Sequence, residues 1–449
     1  MTMLGRTSMT LAPTPTRRGV RGCAVAAVAV GLLVLVGAPA AAQQPPDGVP
    51  PTSAPFMTPN TDSCPNRSVP PPAIDLSEVP APGQTAPAPL PVPSDVVGGG
   101  DLDECGVVTA ENTPPLPADI SATGWVLADL DTGEVLAAKD PHGRYRPAST
   151  IKMLLALVAL DELDLDATVT ATAEDAAIEG SAVGLGKGGV YTNRQLLQGL
   201  VMASGNDAAH ALSTQLGGDA ETVRKMNELA VALGAHDTRT ATPSGLDGPG
   251  MSTSAYDLAL IYRAAMRNDT FAEMIRTQTV DFPGFPEDPA DPTDTPRPGF
   301  ALSNDNRLLY NYDGALGGKT GYTDDARQTF VAGADRGGRR LVVTLVKADV
   351  EPIRPWEQAA RLLDYGFALP ESTSVGALVE PGSVSSDEAE STGSVTVAAP
   401  PAGASPVSAA GAATHSSGGA STTTIVAVGG GIIAVLVASA AVVQGRRRR

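Results

Sequence analysis

Residues 149–152 are Ser-Thr-Ile-Lys, residues 204–206 are Ser-Gly-Asn and residues 319–321 are Lys-Thr-Gly. Each string is common on its own: a Ser-x-x-Lys string is expected about once by chance in a chain of this length. Their occurrence together, in this order and each in a suitable local context, is far rarer. These three strings therefore decide which fold and which chemistry the rest of the sequence has to accommodate.

The first string places a lysine one helical turn after a serine. A serine hydroxyl is a weak nucleophile that needs an adjacent base, and side chains three residues apart on a helix lie on the same face. The apolar helix formers of residues 153–160 predict a helix that begins at Ser149. Lys152 can be the base if burial, or a positive charge such as that of Lys319, destabilises its ammonium. We predict Ser149 as the nucleophile and Lys152 as the general base; the alternative is an ordinary helix cap followed by a solvated lysine.

The other two strings supply polar groups suited to a peptide substrate. Ser204 and Asn206 can relay a proton to a leaving amine and hold a peptide carbonyl, or they can form a purely structural turn. Lys319 and Thr320 can bind a substrate carboxylate, while Gly321 permits a substrate strand to approach the edge of a sheet. The alternative for the third string is a turn that ends an ordinary strand.

Both ends of the chain carry targeting patterns. Residues 1–42 combine arginines, an apolar run over residues 24–36 and small residues before Gln43, which is typical of a signal peptide. Residues 425–443 are uncharged, largely apolar and just long enough to cross a bilayer as a helix. Because residues 446–449 are four arginines, we predict a single-pass transmembrane helix with a basic cytoplasmic tail over residues 444–449. The catalytic domain would then lie on the extracytoplasmic side of the cell membrane.

Composition divides the chain between these ends into three parts. Residues 43–115 are rich in proline and lack apolar periodicity, which predicts a Pro-rich linker. Export to an oxidising space favours a disulfide between Cys64 and Cys105 in this part, with two free thiols as the alternative. Residues 116–370 show strand and helix patterns and form the predicted catalytic domain. Residues 371–424 are dominated by Ser, Thr, Ala and Gly, as in a flexible stalk.

Turn and capping signals predict individual elements of the catalytic domain. Asp131-Thr132-Gly133 between two apolar runs predicts a β-hairpin. Thr192, with Gln195 three residues on, predicts a capping box at the start of a helix. The Ser-Gly-Asn string then lies on a turn between helices, and Asp207 caps the next one. Further predictions are helices over residues 254–267 and 357–369, strands over residues 315–321, 328–334 and 340–347, and a proline-rich solvent loop over residues 281–299.

Charge and motif spacing exclude several classes of partner. The formal net charge is −18, and the predicted signal peptide and tail contain arginines but no acidic residue, so the exported part is more acidic still. Such a surface disfavours nucleic acid as a partner. The four histidines show no metal-ligand spacing, and the glycine-rich residues 184–189 lack the spacing of a phosphate loop. We therefore predict no metal, no cofactor and no nucleic-acid partner.

The chain resembles the low-molecular-mass penicillin-binding proteins, specifically the serine D-alanyl-D-alanine carboxypeptidases. Beyond the three strings, the resemblance rests on longer signatures within roughly residues 116–370: Arg146 to Met153, Ser204 to Ala209, Gly245 to Asp247, Ser254 to Ala259, Asn306 to Leu309 and Gly318 to Thr323. It implies an α+β fold of the β-lactamase/transpeptidase type, with an antiparallel sheet flanked by helices and an all-helical subdomain. It also implies a peptidoglycan stem peptide as substrate and β-lactam antibiotics as covalent inhibitors.

The same resemblance implies roles for individual residues. Ser149 would be acylated by the penultimate D-Ala of the stem peptide, with Lys152 as base and the polar groups of the other two strings assisting. The backbone N–H groups of Ser149 and Tyr322 would form the oxyanion hole. An arginine further along binds the terminal carboxylate in this family, and Arg354 is the nearest candidate. Many members carry a β-rich second domain after the catalytic one; in this sequence the predicted stalk and transmembrane helix occupy that position.

Other functions remain as alternatives. A class A β-lactamase shares the first and third strings. Proteins that resemble that class have Ser-Asp-Asn as the second string and a Glu-x-x-x-Asn string between the second and third. In this chain residue 205 is glycine, and no glutamate between the second and third strings is followed by asparagine four residues later. A D,D-endopeptidase would use the same groups as a carboxypeptidase. A catalytically silent, membrane-tethered peptidoglycan-binding protein would not need all of them intact.

Overall fold

A seven-stranded antiparallel sheet forms the centre of the molecule. The computed structural model describes residues 58–383, and in this part the strands follow the order β1-β3-β2-β10-β9-β8, with β11 pairing onto β3. Two further two-stranded sheets pair β4 with β5 and β6 with β7. The strands are β1 (Val107–Thr109), β2 (Gly124–Asp129), β3 (Glu134–Lys139), β4 (Thr168–Thr170), β5 (Val190–Thr192), β6 (Thr279–Phe282), β7 (Phe300–Ser303), β8 (Ala315–Thr323), β9 (Arg327–Arg336), β10 (Arg339–Ala348) and β11 (Gly376–Ala377).

Nine α-helices in the described residues cover this sheet or pack on each other. They are α1 (Lys152–Glu162), α2 (Ala173–Ala176), α3 (Asn193–Met202), α4 (Asn206–Gln215), α5 (Asp219–Ala232), α6 (Ala255–Ala265), α7 (Asp269–Arg276), α8 (Leu308–Asn311) and α9 (Pro355–Ala368). Two 3₁₀ turns occupy Gly100–Asp103 and Ala148–Ile151. The predicted antiparallel sheet flanked by helices is confirmed.

The central strands β2, β3, β9 and β10 are buried on both faces, so their middle residues are largely apolar. Along β2, Val126 and Ala128 join one apolar core, while Trp125 and Leu127 join a second core on the opposite face, as the two-residue period of a strand requires. Helix α6 packs on the first face and α9 on the second. Helices α1, α3, α4 and α5 pack against one another on the side of the first core.

Local signals account for several element boundaries. The hairpin between β2 and β3 turns at Asp129, whose Oδ1 accepts hydrogen bonds from the N–H groups of Asp131 and Thr132. Thr192 and Gln195 form the predicted capping box at the start of α3. Ser254 caps α6 by accepting from the N–H of Asp257. The strands over β8, β9 and β10 and the helices α6 and α9 are likewise confirmed.

The structure differs from the sequence-based expectation in the Pro-rich segment. Residues 43–115 are predicted to be a linker, but residues 58–115 pack on the catalytic domain: Val97, Leu102 and Val108 are part of the first core. A disulfide joins Cys64 to Cys105, as predicted. A proline-rich segment without apolar periodicity is typical of a linker. Such a pattern does not reveal contacts that the segment makes with side chains from distant parts of the chain.

Smaller differences occur elsewhere. Ser149 lies in the 3₁₀ turn before α1 and not at the first residue of an α-helix. The predicted solvent loop over residues 281–299 connects β6 to β7, and its first two residues belong to β6. The first part of the predicted stalk packs on the domain, because β11 pairs with β3 and the neighbouring Val375 and Leu378 are buried; residues 384–424 of that prediction lie outside the described residues.

The predicted targeting segments lie outside the described residues. These are the signal peptide over residues 1–42, the transmembrane helix over residues 425–443 and the tail over residues 444–449. None of the helices in the described part of the chain is long and apolar enough to cross a membrane.

The Cys64–Cys105 bridge generates a stability prediction. Replacing both cysteines by serine is expected to lower the free energy of unfolding by about 2–4 kcal/mol, because the bridge restricts a long loop in the unfolded chain. The two residues are 41 apart in the sequence. The measurement is thermal unfolding with and without a reductant; reductant should lower the Tm of the natural chain but not that of the double variant. Equal Tm values for the natural chain and the double variant, both measured without reductant, would contradict the prediction.

Candidate active site

Ser149 and Lys152, distant from the other two strings in sequence, meet them where α1, α4 and β8 converge. The turn that carries Ser149 is fixed at the carbonyl of Pro147, which accepts from the hydroxyls of Thr150, at 2.6 Å, and Thr329, at 2.8 Å. The first of these bonds is local, and the second ties the turn to β9. Ser149 Oγ lies 2.9 Å from Lys152 Nζ.

The Lys152 side chain is fully buried and has three polar neighbours. Besides Ser149 Oγ, its Nζ lies 2.7 Å from Asn206 Oδ1 and 2.6 Å from the carbonyl oxygen of Ser244. A carbonyl oxygen can only accept, whereas a hydroxyl can donate. A neutral amine has two N–H groups for the two carbonyl oxygens and one lone pair for the Ser149 hydroxyl. These contacts therefore fit a neutral Lys152, and they would also fit an ammonium, because Ser149 Oγ can accept a third hydrogen.

Burial and the positive charge of Lys319 both favour the neutral form of Lys152. Removal from water lowers the pKa of Lys152 well below its usual value, and the positive charge of Lys319 lowers it further. The carboxylates of Asp305 and Asp207 act in the opposite direction. Burial also lowers the pKa of Lys319, again opposed by Asp305. The expectation that burial and Lys319 would make Lys152 a base agrees with these directions.

Ser204 lies on the turn between α3 and α4, and Asn206 is the first residue of α4. The amide of Asn206 is oriented by its second contact, because its Nδ2 donates to the carbonyl of Glu179 at 2.7 Å. Its oxygen therefore faces Lys152. Ser204 is buried and has a φ of 61°, in the left-handed region that non-glycine residues seldom adopt. Such strained conformations persist where the surrounding structure enforces them, and they are frequent at functional sites.

Strand β8 brings the third string to the nucleophile turn. Lys319 is fully buried and its Nζ donates to the carbonyl of Thr320 at 2.8 Å, while the Thr320 hydroxyl donates to Asp305 Oδ2 at 2.9 Å. A Cβ on Gly321 would lie 2.9 Å from the backbone N of Ser149 and 2.3 Å from Thr329 Oγ1. Only glycine lets the strand and the turn come this close.

The remaining two predicted site residues lie at the surface. Tyr322 follows the third string, is half exposed and donates its hydroxyl to Asp324 Oδ1 at 2.7 Å. Arg354 is exposed at the start of α9, where its backbone N–H donates to Glu357 Oε2 at 2.9 Å. Within residues 58–383 its guanidinium forms no hydrogen bond with the other predicted site residues. Its role as a carboxylate-binding residue stays a prediction.

Sequence reasoning missed three contributors to this site. Asp305 bonds Thr320 and raises the pKa of both buried lysines. The carbonyl of Ser244 contacts Lys152. Asp207 was expected only as a helix cap, yet its carboxylate accepts from the N–H groups of residues 183, 184 and 185, at 2.9, 2.8 and 2.9 Å, and so anchors the glycine-rich segment beside α4. Asp305 and Ser244 directly precede signatures that the sequence did reveal, and this adjacency was the available signal.

One cluster of side chains away from Lys152 consists of residue types that can bind a metal ion. Ligand atoms of His142, Asp237 and Asp257 lie within 4.8 Å of one another. Both nitrogens of His142 are already engaged, with Asp237 and with the carbonyl of Val97. The guanidinium of Arg144 donates to Asp237 at 3.1 Å and supplies the positive charge there. The donor set is thus occupied by the chain itself and does not fit a resident metal.

Known proteins are similar in sequence to this chain. DacB2 of Mycobacterium tuberculosis, a D-alanyl-D-alanine carboxypeptidase, is 50% identical over 268 residues, which are 59% of this chain and 88% of that protein. DacF of Bacillus subtilis, also named a D-alanyl-D-alanine carboxypeptidase, is 32% identical over 55% of this chain and 62% of its own length.

Solved structures agree with these relatives. The structure of a D-alanyl-D-alanine carboxypeptidase from Mycobacterium tuberculosis matches with a TM-score of 0.55 and 48% identity, covering 60% of this chain and 99% of that one. The Streptomyces K15 DD-transpeptidase matches with a TM-score of 0.52 and 32% identity, covering 57% of this chain and 100% of that one.

A family model for D-alanyl-D-alanine carboxypeptidases, Peptidase_S11, matches residues 108–350, more than half of the chain. That range contains all three strings and every buried group described around Lys152. The chain belongs to the D-alanyl-D-alanine carboxypeptidase family of serine peptidases.

Proposed function

We propose that this protein is a serine D,D-carboxypeptidase that removes the terminal D-Ala from peptidoglycan stem pentapeptides through an acyl-enzyme on Ser149. The observation that carries the proposal is the buried Lys152 amine, which lies 2.9 Å from Ser149 Oγ and whose burial favours its neutral form. A neutral amine at this distance can accept the hydroxyl proton, which is what a serine nucleophile requires.

Acylation begins when Lys152 takes the proton of Ser149 and Oγ attacks the carbonyl of the penultimate D-Ala. The carbon–nitrogen bond to the terminal D-Ala then breaks, and the leaving nitrogen receives a proton from the Lys152 ammonium through the Ser204 hydroxyl. An ester on Ser149 and free D-Ala result. Lys152 is neutral again and can activate a water molecule, whose attack on the ester releases the shortened peptide and restores the serine proton.

The negative oxygen formed in each step needs donors in place beforehand. The backbone N–H groups of Ser149 and Tyr322 are the proposed pair, and the close packing of Gly321 on the Ser149 turn holds their two chain segments together. Because β8 is the edge strand of the sheet, a peptide can lie along it.

Positive charge near the end of the substrate accounts for its selection. Lys319 and Thr320 are proposed to bind the terminal carboxylate, with Arg354 as a further cation. In a chain with a net charge of −18, such local cations favour an anionic group at this one place. β-Lactam antibiotics carry a carboxylate beside a strained amide and would acylate Ser149 in the same way.

Ser149→Ala tests the acyl-enzyme directly. D-Ala release from a pentapeptide ending in D-Ala-D-Ala is expected to fall by about 10⁴-fold or more, because the nucleophile is lost. Mass spectrometry should show a penicillin adduct on the natural chain and none on the variant. A matched Ser383→Ala variant, changed at an exposed serine, should keep full activity. Equal D-Ala release by the natural chain and Ser149→Ala would leave only a peptidoglycan-binding function.

The same assay separates the neighbouring activities. A D,D-endopeptidase would cut a crosslinked peptide dimer faster than it releases D-Ala from the pentapeptide. A β-lactamase would turn penicillin over rapidly in place of accumulating a stable adduct. Either result would replace the proposed carboxypeptidase activity.

Two charge changes are expected to move the pH profile in opposite directions. A base must be deprotonated, so kcat/KM should rise as the pH passes upward through the pKa of Lys152. Because Lys319 lowers that pKa, Lys319→Gln should move this acidic limb to higher pH, besides lowering the plateau. Because Asp305 raises it, Asp305→Asn should move the limb to lower pH. Limbs that do not move, or that move the other way, would contradict the assignment of Lys152 as base.

We also infer that the protein is exported and held at the cell membrane, with this domain outside. The inference rests on the sequence of residues 1–42 and 425–449. It agrees with the proposed substrate, since peptidoglycan lies beyond the membrane.

Cell fractionation tests the anchor. The full chain is expected in the membrane fraction, and a chain ending at residue 424 in the soluble extracytoplasmic fraction, because residues 425–443 supply the only predicted span after the signal. Recovery of the intact full chain in the soluble fraction would contradict the anchor.

A further inference from the structure

Three consecutive residues that lead into the nucleophile turn, 144–146, are each held by the disulfide-closed segment over residues 64–105, here called the strap. The N–H of Arg144 donates to the carbonyl of Asn66 at 2.8 Å, and the amide of Asn66 donates to the Tyr145 hydroxyl at 3.2 Å. The Arg146 guanidinium donates to both carboxylate oxygens of Glu78 and to the carbonyl of Pro71.

The strap also holds the other wall of the site. The N–H of Ile74 donates to Asp325 Oδ1 at 2.6 Å, and Asp325 lies on the turn between β8 and β9. The strap thus contacts the chain on both sides of the place where Gly321 packs against Ser149. These sides carry the N–H groups of Ser149 and Tyr322.

We propose that the strap positions the Ser149 turn against β8, with Glu78 as a positioning residue that acts through Arg146. The inference rests on the proposed function, since it assigns the strap to the oxyanion hole of that reaction. The strap lies before residues 108–350, which carry the family match.

The charges around Arg146 explain why Glu78 matters. The Arg146 side chain is 2% exposed, and its ionic partner in the described residues is Glu78. The carboxylates of Asp247 and Asp325 also attract it, and each has a buried oxygen, Asp247 Oδ1 and Asp325 Oδ2, without a hydrogen-bond partner in residues 58–383. Without the Glu78 charge, Arg146 is drawn toward these oxygens. Since Arg146 lies three residues before Ser149, the turn moves with it.

Glu78→Gln tests this role in the full chain. The variants are labelled with a fluorescent penicillin, and the acylation rate constant is expressed per site that is labelled at completion. We expect this rate constant and kcat for D-Ala release to fall by about tenfold with KM within about twofold, because misplaced catalytic groups slow the reaction more than they weaken binding. Glu78→Asp, which keeps the carboxylate, should recover part of the rate.

A matched control separates positioning from packing. Glu380 also pairs with a buried arginine, Arg263, which is 4% exposed, and Glu380→Gln should leave the rate per labelled site unchanged. A purely structural role for Glu78 would reduce the number of labelled sites and leave the rate per site as in the natural chain, and this result would overturn the proposal. So would an equal loss in Glu380→Gln. No labelling of the natural chain would contradict the proposed function itself.

Discussion

The catalytic arrangement depends on one amine that is removed from water. Lys152 meets two carbonyl oxygens and one hydroxyl; these contacts fit a neutral amine and an ammonium alike, so burial, together with the positive charge of Lys319, is what favours the neutral form. Burying a charge costs far more than burying a satisfied neutral group. The pocket therefore keeps Lys152 available as a base, and the elements that form the pocket determine this property.

Those elements come from distant parts of the chain. The Asn206 oxygen is brought by the first residue of α4, the Ser244 carbonyl by a loop before α6, and Lys319 by the edge strand β8. A sheet buried on both faces keeps these parts in fixed relation, because its strands cannot slip without exposing one apolar core. The sheet thus has a functional purpose beyond stability: it fixes the positions of two buried lysines relative to each other.

Features set by neighbouring residues could be predicted from the sequence, and features set by distant pairs could not. The Thr192 capping box and the β2–β3 hairpin are made by residues three apart or closer, so their chemistry is visible in the string itself. The three strings located the site for the same reason. The packed position of the Pro-rich segment depends on pairs such as Glu78 and Arg146, which are 68 residues apart. No periodic pattern in the sequence predicts such a pair.

The strap shows how a segment rich in proline can pack without secondary structure. Proline has a carbonyl acceptor but no N–H donor, so such a segment offers acceptors that no neighbouring strand can fully use. Here cationic side chains of the catalytic domain use them: Arg144 donates to the carbonyls of residues 68, 90 and 91, and Arg239 donates to that of residue 88. In an acidic protein, these cations are concentrated where the strap crosses the chain leading to Ser149. Their fixed geometry makes the strap a support for the nucleophile as well as a cover.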